Sequence, residues 1–280
     1  NNGVTTTIEY EGLAPNAVYT PDNSQLYPYL NINRANSFQL VKKLTEKGGG
    51  IKRYQDFRYH GAVSNINIGF QGFLKTKRSN WYGDGVGTLW TISKHDVTKK
   101  GAVTEQWIST SPHEGNSYMS KTTNTFSTNL ASNKVFTNFP TKVVQHNALH
   151  GVTTTKNYTY DSYKNLLTES TIYLGGRKNR TYTYSNNAVT NSQYYHIGRI
   201  TKKIETNTIG GNSFTTEEQY RYSNNLLTQQ KVKGNGTPWN TESFTYDAFG
   251  NVTRKRLTPS GLSLRTENFK YDSSGRFLIE

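Results

Sequence analysis

Apolar and polar positions along this chain alternate in short runs, broken by Gly, Asn, Asp and Ser, and no stretch longer than about ten residues carries helical periodicity. The clearest run is Phe244-Thr-Tyr246, where aromatics at i and i+2 share one face of a strand. Aromatic and Thr side chains suit a pleated, half-buried surface. Asp247 and Gly250 follow; Asp bonds to backbone just ahead and Gly tolerates positive φ, so the chain reverses and Val252 starts a return strand. The outline recurs at Tyr158-Thr-Tyr160-Asp161 and Phe269-Lys-Tyr271-Asp272, the latter followed by Gly275. Two eroded copies, around Tyr184 and Tyr222, carry Ser185 and Ser223 in place of Asp. The second tyrosines stand at 160, 184, 222, 246 and 271, in steps of 24, 38, 24 and 25. A near-constant step marks a repeat, and this length holds two strands and two turns. One hairpin is marginal alone, so the copies must stack edge to edge.

The first half is less regular. Residues up to about 30, with Ile8-Glu-Tyr10 and breakers at Pro15 and Pro21, read as irregular strand and loop. Glu46-Lys-Gly-Gly-Gly50 is a hairpin turn between predicted strands 37–44 and 51–59. Gly69 and Gly72 flank Phe70, where strand glycines point to a bulge. Trp81 to Trp90 is a Gly-rich loop between aromatics, and Val103–Trp107 a strand. Between 110 and 150, rich in Ser, Thr and Asn, separate strands are predicted at Tyr118–Phe126, Val135–Phe139 and Thr141–Gln145. The expected division is a β-rich region over 1–150 and a repeat sheet over 151–280.

Hydrophobic residues make up 32% of the 280 positions and the formal net charge is +14, a balance that by itself suggests disorder. The 20 Tyr, 12 Phe and 4 Trp argue against that, since disordered chains are poor in aromatics. Tyr supplies both packing and a wet hydroxyl edge, which fits a thin, sheet-rich protein. With no Cys there is no disulfide framework. No run of ~18 apolar residues offers a membrane span. Basic groups such as Lys42-Lys43, Lys75-Thr-Lys-Arg78, Lys202-Lys203 and Arg254-Lys-Arg256 leave two readings open. They line sheet edges and outer faces, where Lys blocks unwanted pairing, or they form a surface for nucleic acid or an anionic polymer.

Nothing in the sequence points to catalysis, a cofactor or a metal. His146 and His150 stand four apart but lack an acidic third ligand. Asp84 alone does not make a calcium site, the loop around Gly87 lacks the Lys of a phosphate loop, and there is no nucleophile elbow. The Asp of each Tyr-Asp pair recurs with the repeat, as a turn residue does and a catalytic residue does not.

The Tyr-Asp pairs at 160–161, 246–247 and 271–272, with Gly or Asn following, resemble the YD repeat of the RHS family. Tyr194-Tyr-His-Ile-Gly-Arg-Ile-Thr201 resembles the segment preceding such repeats in the B components of bacterial toxin complexes, and Asn67-Ile-Gly-Phe-Gln-Gly-Phe73 an element upstream of them. The resemblance implies an all-β fold of stacked antiparallel hairpins, part of a large curved or spiralling sheet. It implies secretion or display at a bacterial cell surface, as part of a shell around a C-terminal toxic domain absent here. The partners would be that toxin and the rest of the shell, in the same polypeptide or a partner subunit. On this view the chain is a piece of a longer protein, with an unpaired sheet edge near Phe277–Glu280. The alternative is an extended sheet that binds glycan or another anionic polymer at a cell surface. Basic residues dispersed over the repeats would favour the shell; basic residues gathered on one face with stacked Tyr or Trp would favour binding. An enzyme would need a convergent polar pocket.

Overall fold

A computed structural model describes residues 3–113, 117–130 and 135–280. Among these residues the chain is all β, with nineteen strands and a single 3₁₀ turn at Val97–Lys99. It forms two compact units, divided between Thr154 and Thr155.

In unit one, β1 (Thr5–Leu13) pairs antiparallel with β4 (Ala35–Gly48), and β4 with β5 (Ile51–Asn65). The β4–β5 hairpin has the expected pairing, Lys43 opposite Asp56 and Gly48 opposite Ile51. Its two-residue turn needs positive φ twice, at Gly49 (57°) and Gly50 (77°), which glycine adopts freely. Farther along β5, β2 (Tyr19–Thr20) adds parallel and β3 (Tyr29–Ile32) antiparallel. The ladder continues antiparallel through β6 (Gly69–Ser79), β7 (Trp90–Asp96), β8 (Ala102–Ser109), β9 (Ser120–Leu130) and β10 (Phe136–Asn147). Val63 pairs with Gly72 and Ser64 with Phe70, so Gln71 is the extra residue of a bulge between the two strand glycines.

Two elements depart from the sequence expectation. Residues 5–13 form one nine-residue strand where irregular strand and loop were expected; its first six positions are exposed and its pairing with β4 supplies its order. Likewise β10 is a single strand where two were expected. Pro140 lies opposite Phe126 at a bulge, and Thr141 donates its hydroxyl to Thr125 O (3.2 Å), so pairing resumes past the proline.

Fully buried side chains are confined to unit one. Leu13, Val18, Tyr19, Leu40 and Ala62 form one cluster and Trp90, Ile92 and Trp107 another. Tyr19 donates its hydroxyl to Ile32 O and accepts from Ala62 N, so its polar tip is satisfied inside the cluster.

Unit two is a ladder of consecutive antiparallel neighbours. Its strands are β11 (Val152–Tyr160, paired from Thr155), β12 (Leu166–Tyr173), β13 (Gly176–Asn187), β14 (His196–Ile209) and β15 (Asn212–Ser223). They are followed by β16 (Leu226–Lys233), β17 (Asn240–Tyr246), β18 (Val252–Thr258) and β19 (Arg265–Asn268). No residue of this unit is fully buried. Its order therefore rests on ladder bonds and cross-strand side-chain pairs rather than on a dry core.

Candidate functional site

The recurring feature of unit two is the hairpin end that carries each Tyr-Asp pair or its eroded form. Registry places Tyr158 opposite Glu169, Arg180 opposite both Glu169 and Glu205, Lys203 opposite Tyr182 and Glu218, and Phe244 opposite Lys255. Following the alternation outward, the aromatic pairs of all four hairpins lie on one side of the sheet: 158/160, 182/184, 220/222 and 244/246. They are half-buried, while Thr159, Thr183, Arg221 and Thr245 between them are exposed on the other side.

Each second tyrosine sits at a register shift. The ladder slips by one between Thr159 and Tyr160, Thr183 and Tyr184, Arg221 and Tyr222, and Thr245 and Tyr246. A bulge bends and twists its strand locally; the pair after it is the last one at Tyr160 and Tyr246, one more pair follows at Tyr222, and two more follow at Tyr184. The second tyrosine also ties one hairpin to the one before. Tyr184 donates its hydroxyl to Leu166 O (2.8 Å) on β12, and Tyr246 donates to Leu227 O on β16.

The aspartates build the turns. Asp161 Oδ1 accepts from Asn165 N (2.8 Å), its Oδ2 accepts from Asn165 Nδ2 (2.9 Å), and its own N–H donates to Asn165 O (3.0 Å). Asp247 repeats this with Asn251 (2.9, 3.0 and 3.0 Å) and also takes Phe249 N at 2.9 Å. Asp272 accepts from Arg276 N (2.8 Å), Phe277 N (3.0 Å) and the Ser274 hydroxyl (2.5 Å). The residue three beyond each Asp has positive φ: Lys164 71°, Gly250 88° and Gly275 69°. Desolvation pushes the Asp161 and Asp247 carboxyls up, but the Asn165 and Asn251 donors outweigh it and leave both below the ordinary value. The Asp272 carboxyl is drawn down to about 2, chiefly by the Ser274 hydroxyl and the Phe277 amide.

The clasp asparagines were not singled out from sequence, although Asp and Asn four apart in two copies is a visible signal. They also reach the neighbouring repeat. Asn251 Nδ2 donates to Gly275 O at 2.8 Å, and a Cβ on Gly275 would stand 2.5 Å from the Phe249 ring. Asn165 Oδ1 would stand 2.7 Å from a Cβ on Gly198, the glycine of the 194–201 segment.

The two eroded copies reverse differently. Ser223 pairs with Leu226 across Asn224 (φ 47°) and Asn225 (φ 65°), a tight two-residue turn that needs no carboxylate. Around Tyr184 the hairpin opens into a loop between Asn187 and His196; Asn186 Oδ1 accepts from Gly198 N (2.7 Å), and Ser185 Oγ meets His196 Nε2 at 3.1 Å. This loop, with the long β14, accounts for the 38-residue step. Tyr271 forms a bridge with Leu278, and the last residues fold back, Lys270 N donating to Glu280 O at 2.8 Å.

On the aromatic side, ion pairs cross the strands. Arg180 meets Glu205 (2.7 Å) and Glu169 (3.1 Å), Lys178 meets Glu205 (2.9 Å), Lys203 meets Glu218 (2.9 Å) and Lys255 meets Glu242 (3.4 Å). The Arg180 guanidinium, with Lys178 and Asn207, holds the Glu205 carboxyl at about 2. Burial, aided by its bond to Glu218, pushes the Tyr220 hydroxyl well up.

The other candidates lie in unit one. His146, on β10, contacts the Tyr118 hydroxyl through Nδ1 (3.0 Å), while His150 lies in the turn beyond β10. Among the described residues no three His, Cys, Asp or Glu side chains converge as a metal site. Asp84 lies in the loop between β6 and β7. A hollow of about 380 Å³ is lined by Arg58, Tyr59, His60 and His113 among others; His60 Nε2 is 3.2 Å from Asp22, which also accepts from Ser24 N at 2.7 Å.

No family model matches the chain, and no curated protein does. Among solved structures, TcdB2-TccC3 without its hypervariable C-terminal region aligns over 92% of this chain and 17% of that one, at 8% identity and a TM-score of 0.44. A second, TcdB2-TccC3-TEV, aligns over 98% and 18%, at 10% identity and a TM-score of 0.30. A porin-like protein from Bacteroides uniformis ATCC 8492 aligns over 79% of this chain and 89% of that one, at 11% identity and a TM-score of 0.28. The chain spans less than a fifth of either TcdB2-TccC3 chain. With TM-scores all below 0.5, none of the three settles what this chain does.

Proposed function

We propose that this chain is a wall segment: a stretch of stacked-hairpin sheet that, in RHS fashion, helps to enclose a C-terminal toxic domain of a secreted or surface-displayed bacterial protein. The observation that carries this is the set of contacts by which repeats are completed by their neighbours. Asn251 bonds to the next turn at Gly275, Phe249 fills the space over that glycine, and the Tyr184 and Tyr246 hydroxyls bond to the preceding hairpin. A unit completed by its neighbour extends by adding units, as repeat proteins do. A sheet without a dry core suits a wall, which keeps water or cargo on both sides. Its partners are the rest of that wall, in the same polypeptide or a partner subunit, and the enclosed domain. The role is architectural, and no residue is assigned to catalysis.

The test is the mass of the parent protein from its source, native and then denatured. One native particle that separates on denaturation into a large repeat-bearing piece and a smaller C-terminal piece supports enclosure. A single uncleaved chain with no domain beyond the repeats overturns it.

A further inference from the structure

The two sides of the unit-two sheet differ in charge. On the aromatic side, Arg180, Lys178, Lys203 and Lys255 are each engaged by a carboxylate. On the opposite side one row across the ladder reads Lys202, Gln219, Lys231, Thr241, and the next reads Arg221, Gln229, Ser243, Arg256. Arg254 lies one row further, opposite Thr245, and Lys233 lies on the far side of the Lys202 row, opposite Glu217. Glu217 is the only carboxylate that β11 to β18 place on this side, and it is shared by Lys202 (2.8 Å) and Lys233 (3.2 Å). Arg221, Arg254 and Arg256 are exposed.

The sequence spreads these cations over 55 residues, from Lys202 to Arg256, and registry gathers them on one surface. Strands lie about 4.8 Å apart and residues two apart along a strand about 7 Å, so Lys202 and Lys231 are roughly 10 Å apart at the backbone and the two rows roughly 7 Å apart. Between the cations stand hydroxyl and amide side chains: Thr183, Gln219, Gln229, Ser243, Thr241 and Thr245. Such a surface offers charge-assisted bonds to carboxylate or sulfate and neutral partners for sugar hydroxyls. Nucleic-acid strands favour stacking rings, and the tyrosine pairs are on the other side. Trp239, on this side, already has Lys231 and Lys233 ammonium groups over its ring, at 4.8 and 4.7 Å.

We propose that this basic face binds a linear anionic polysaccharide laid across the strands, with Arg221, Arg254, Arg256, Lys202 and Lys231 holding its acidic groups. The proposal stands on the registry of unit two and does not depend on the enclosing role.

The test is calorimetric titration of the whole chain with polygalacturonate, with heparin and with an oligothymidylate of matched charge, at several salt concentrations. The first two probes separate a carboxylated from a sulfated ligand. The chain should bind at least one polysaccharide more tightly than the oligothymidylate, with affinity falling as salt rises. Replacing Arg221, Arg254 and Arg256 together by Ser should weaken binding by roughly tenfold or more and flatten the salt dependence. Removing three cations elsewhere (Lys42→Ser, Lys156→Ser and Arg265→Ser) should change it far less. A second variant, Gln219→Glu with Gln229→Glu, sets carboxylates among the cations and should weaken binding without deleting any side chain. Equal losses for the two triple variants would reduce the effect to net charge, and tighter binding of the oligothymidylate would make the ligand a nucleic acid. Either result, or no binding to any probe, overturns the proposal.

Discussion

Replacing Gly198 by Ala tests whether the repeats are locked together through their turns. Gly198 has φ +73°, and an added Cβ would stand 2.7 Å from Asn165 Oδ1. Two costs follow. An L-residue in the left-handed region costs about 1–2 kcal/mol. Asn165 must also move, which disrupts the bond from its Nδ2 to Asp161 Oδ2 (2.9 Å); a bond to a carboxylate at a half-buried site contributes about 1–2 kcal/mol. The expected loss is therefore about 2–4 kcal/mol. Gly210 provides the reference: its φ is +55° and nothing lies within 4 Å of its would-be Cβ, so Gly210→Ala carries the backbone cost alone. In an Asn165→Ala background, Gly198→Ala should fall to the Gly210 level, a coupling of about 1–2 kcal/mol. Urea unfolding followed by circular dichroism gives the stabilities, provided the m-values agree. Amide exchange at Asn165, whose N–H donates to Asp161 Oδ1 (2.8 Å), reports the clasp directly. If Gly198→Ala costs no more than Gly210→Ala, or if removing the Asn165 side chain gives no relief, the turns are not coupled as described.

Three further outcomes are expected. The Glu205 carboxyl, held at about 2 in the fold against an ordinary 4.5, contributes stability that is complete above about pH 4.5 and lost as pH falls toward 2; unfolding across that window should show Glu205→Gln with a flatter acid dependence. Tyr184→Phe and Tyr246→Phe each remove a hydroxyl bonded to the preceding hairpin and should each cost about 1 kcal/mol, additively because β14, β15 and β16 lie between them. Phe277, Leu278 and Ile279 are 69, 57 and 58% exposed beside the last paired segment; light scattering over a dilution series should show self-association that Phe277→Lys with Leu278→Lys suppresses, and a monomer at every concentration would count against an adhesive edge.

Much of this fold is written in local spacing, and the parts that are not have physical reasons. The Tyr-x-Tyr-Asp outline predicts hairpins because alternation and turn chemistry act within about ten residues. The Gly49-Gly50 reversal and the bulge at Gln71 follow from the same local rules. Residues 5–13 read only as irregular strand and loop because their exposed Thr-rich run is paired to β4, some thirty residues away. The strands expected at 135–139 and 141–145 merge because Pro140, between them, pairs opposite Phe126 at a bulge. At the repeat turns, Asp161, Asp247 and Asp272 were legible as turn residues, whereas the reach of Asn165 and Asn251 into the next repeat is a long-range contact. The segregation of Lys202, Lys231, Arg221 and Arg256 is likewise invisible in sequence, since it depends on the register of five strands and a one-residue slip would reverse it.

That dependence bears on why a bulge recurs at Tyr160, Tyr184, Tyr222 and Tyr246. A sheet with no buried residue lacks the strongest device for fixing register, the mismatch of a hydrophobic face with water. Unit two has other devices. A bulge shifts the pairing by one at a tyrosine in each hairpin, and the Tyr184 and Tyr246 hydroxyls reach defined carbonyls on the preceding strand, Leu166 O and Leu227 O. Arg180 adds a charged tie across three strands, to Glu169 and Glu205. A slip by one residue would move Arg180 to the other face and break both ion pairs, and it would carry the Tyr184 hydroxyl away from its acceptor. Register in this unit is therefore held by polar contacts spaced along the ladder, and those contacts keep Arg221, Lys231, Arg254 and Arg256 on one side of the sheet and the tyrosine pairs, with their carboxylate-engaged cations, on the other.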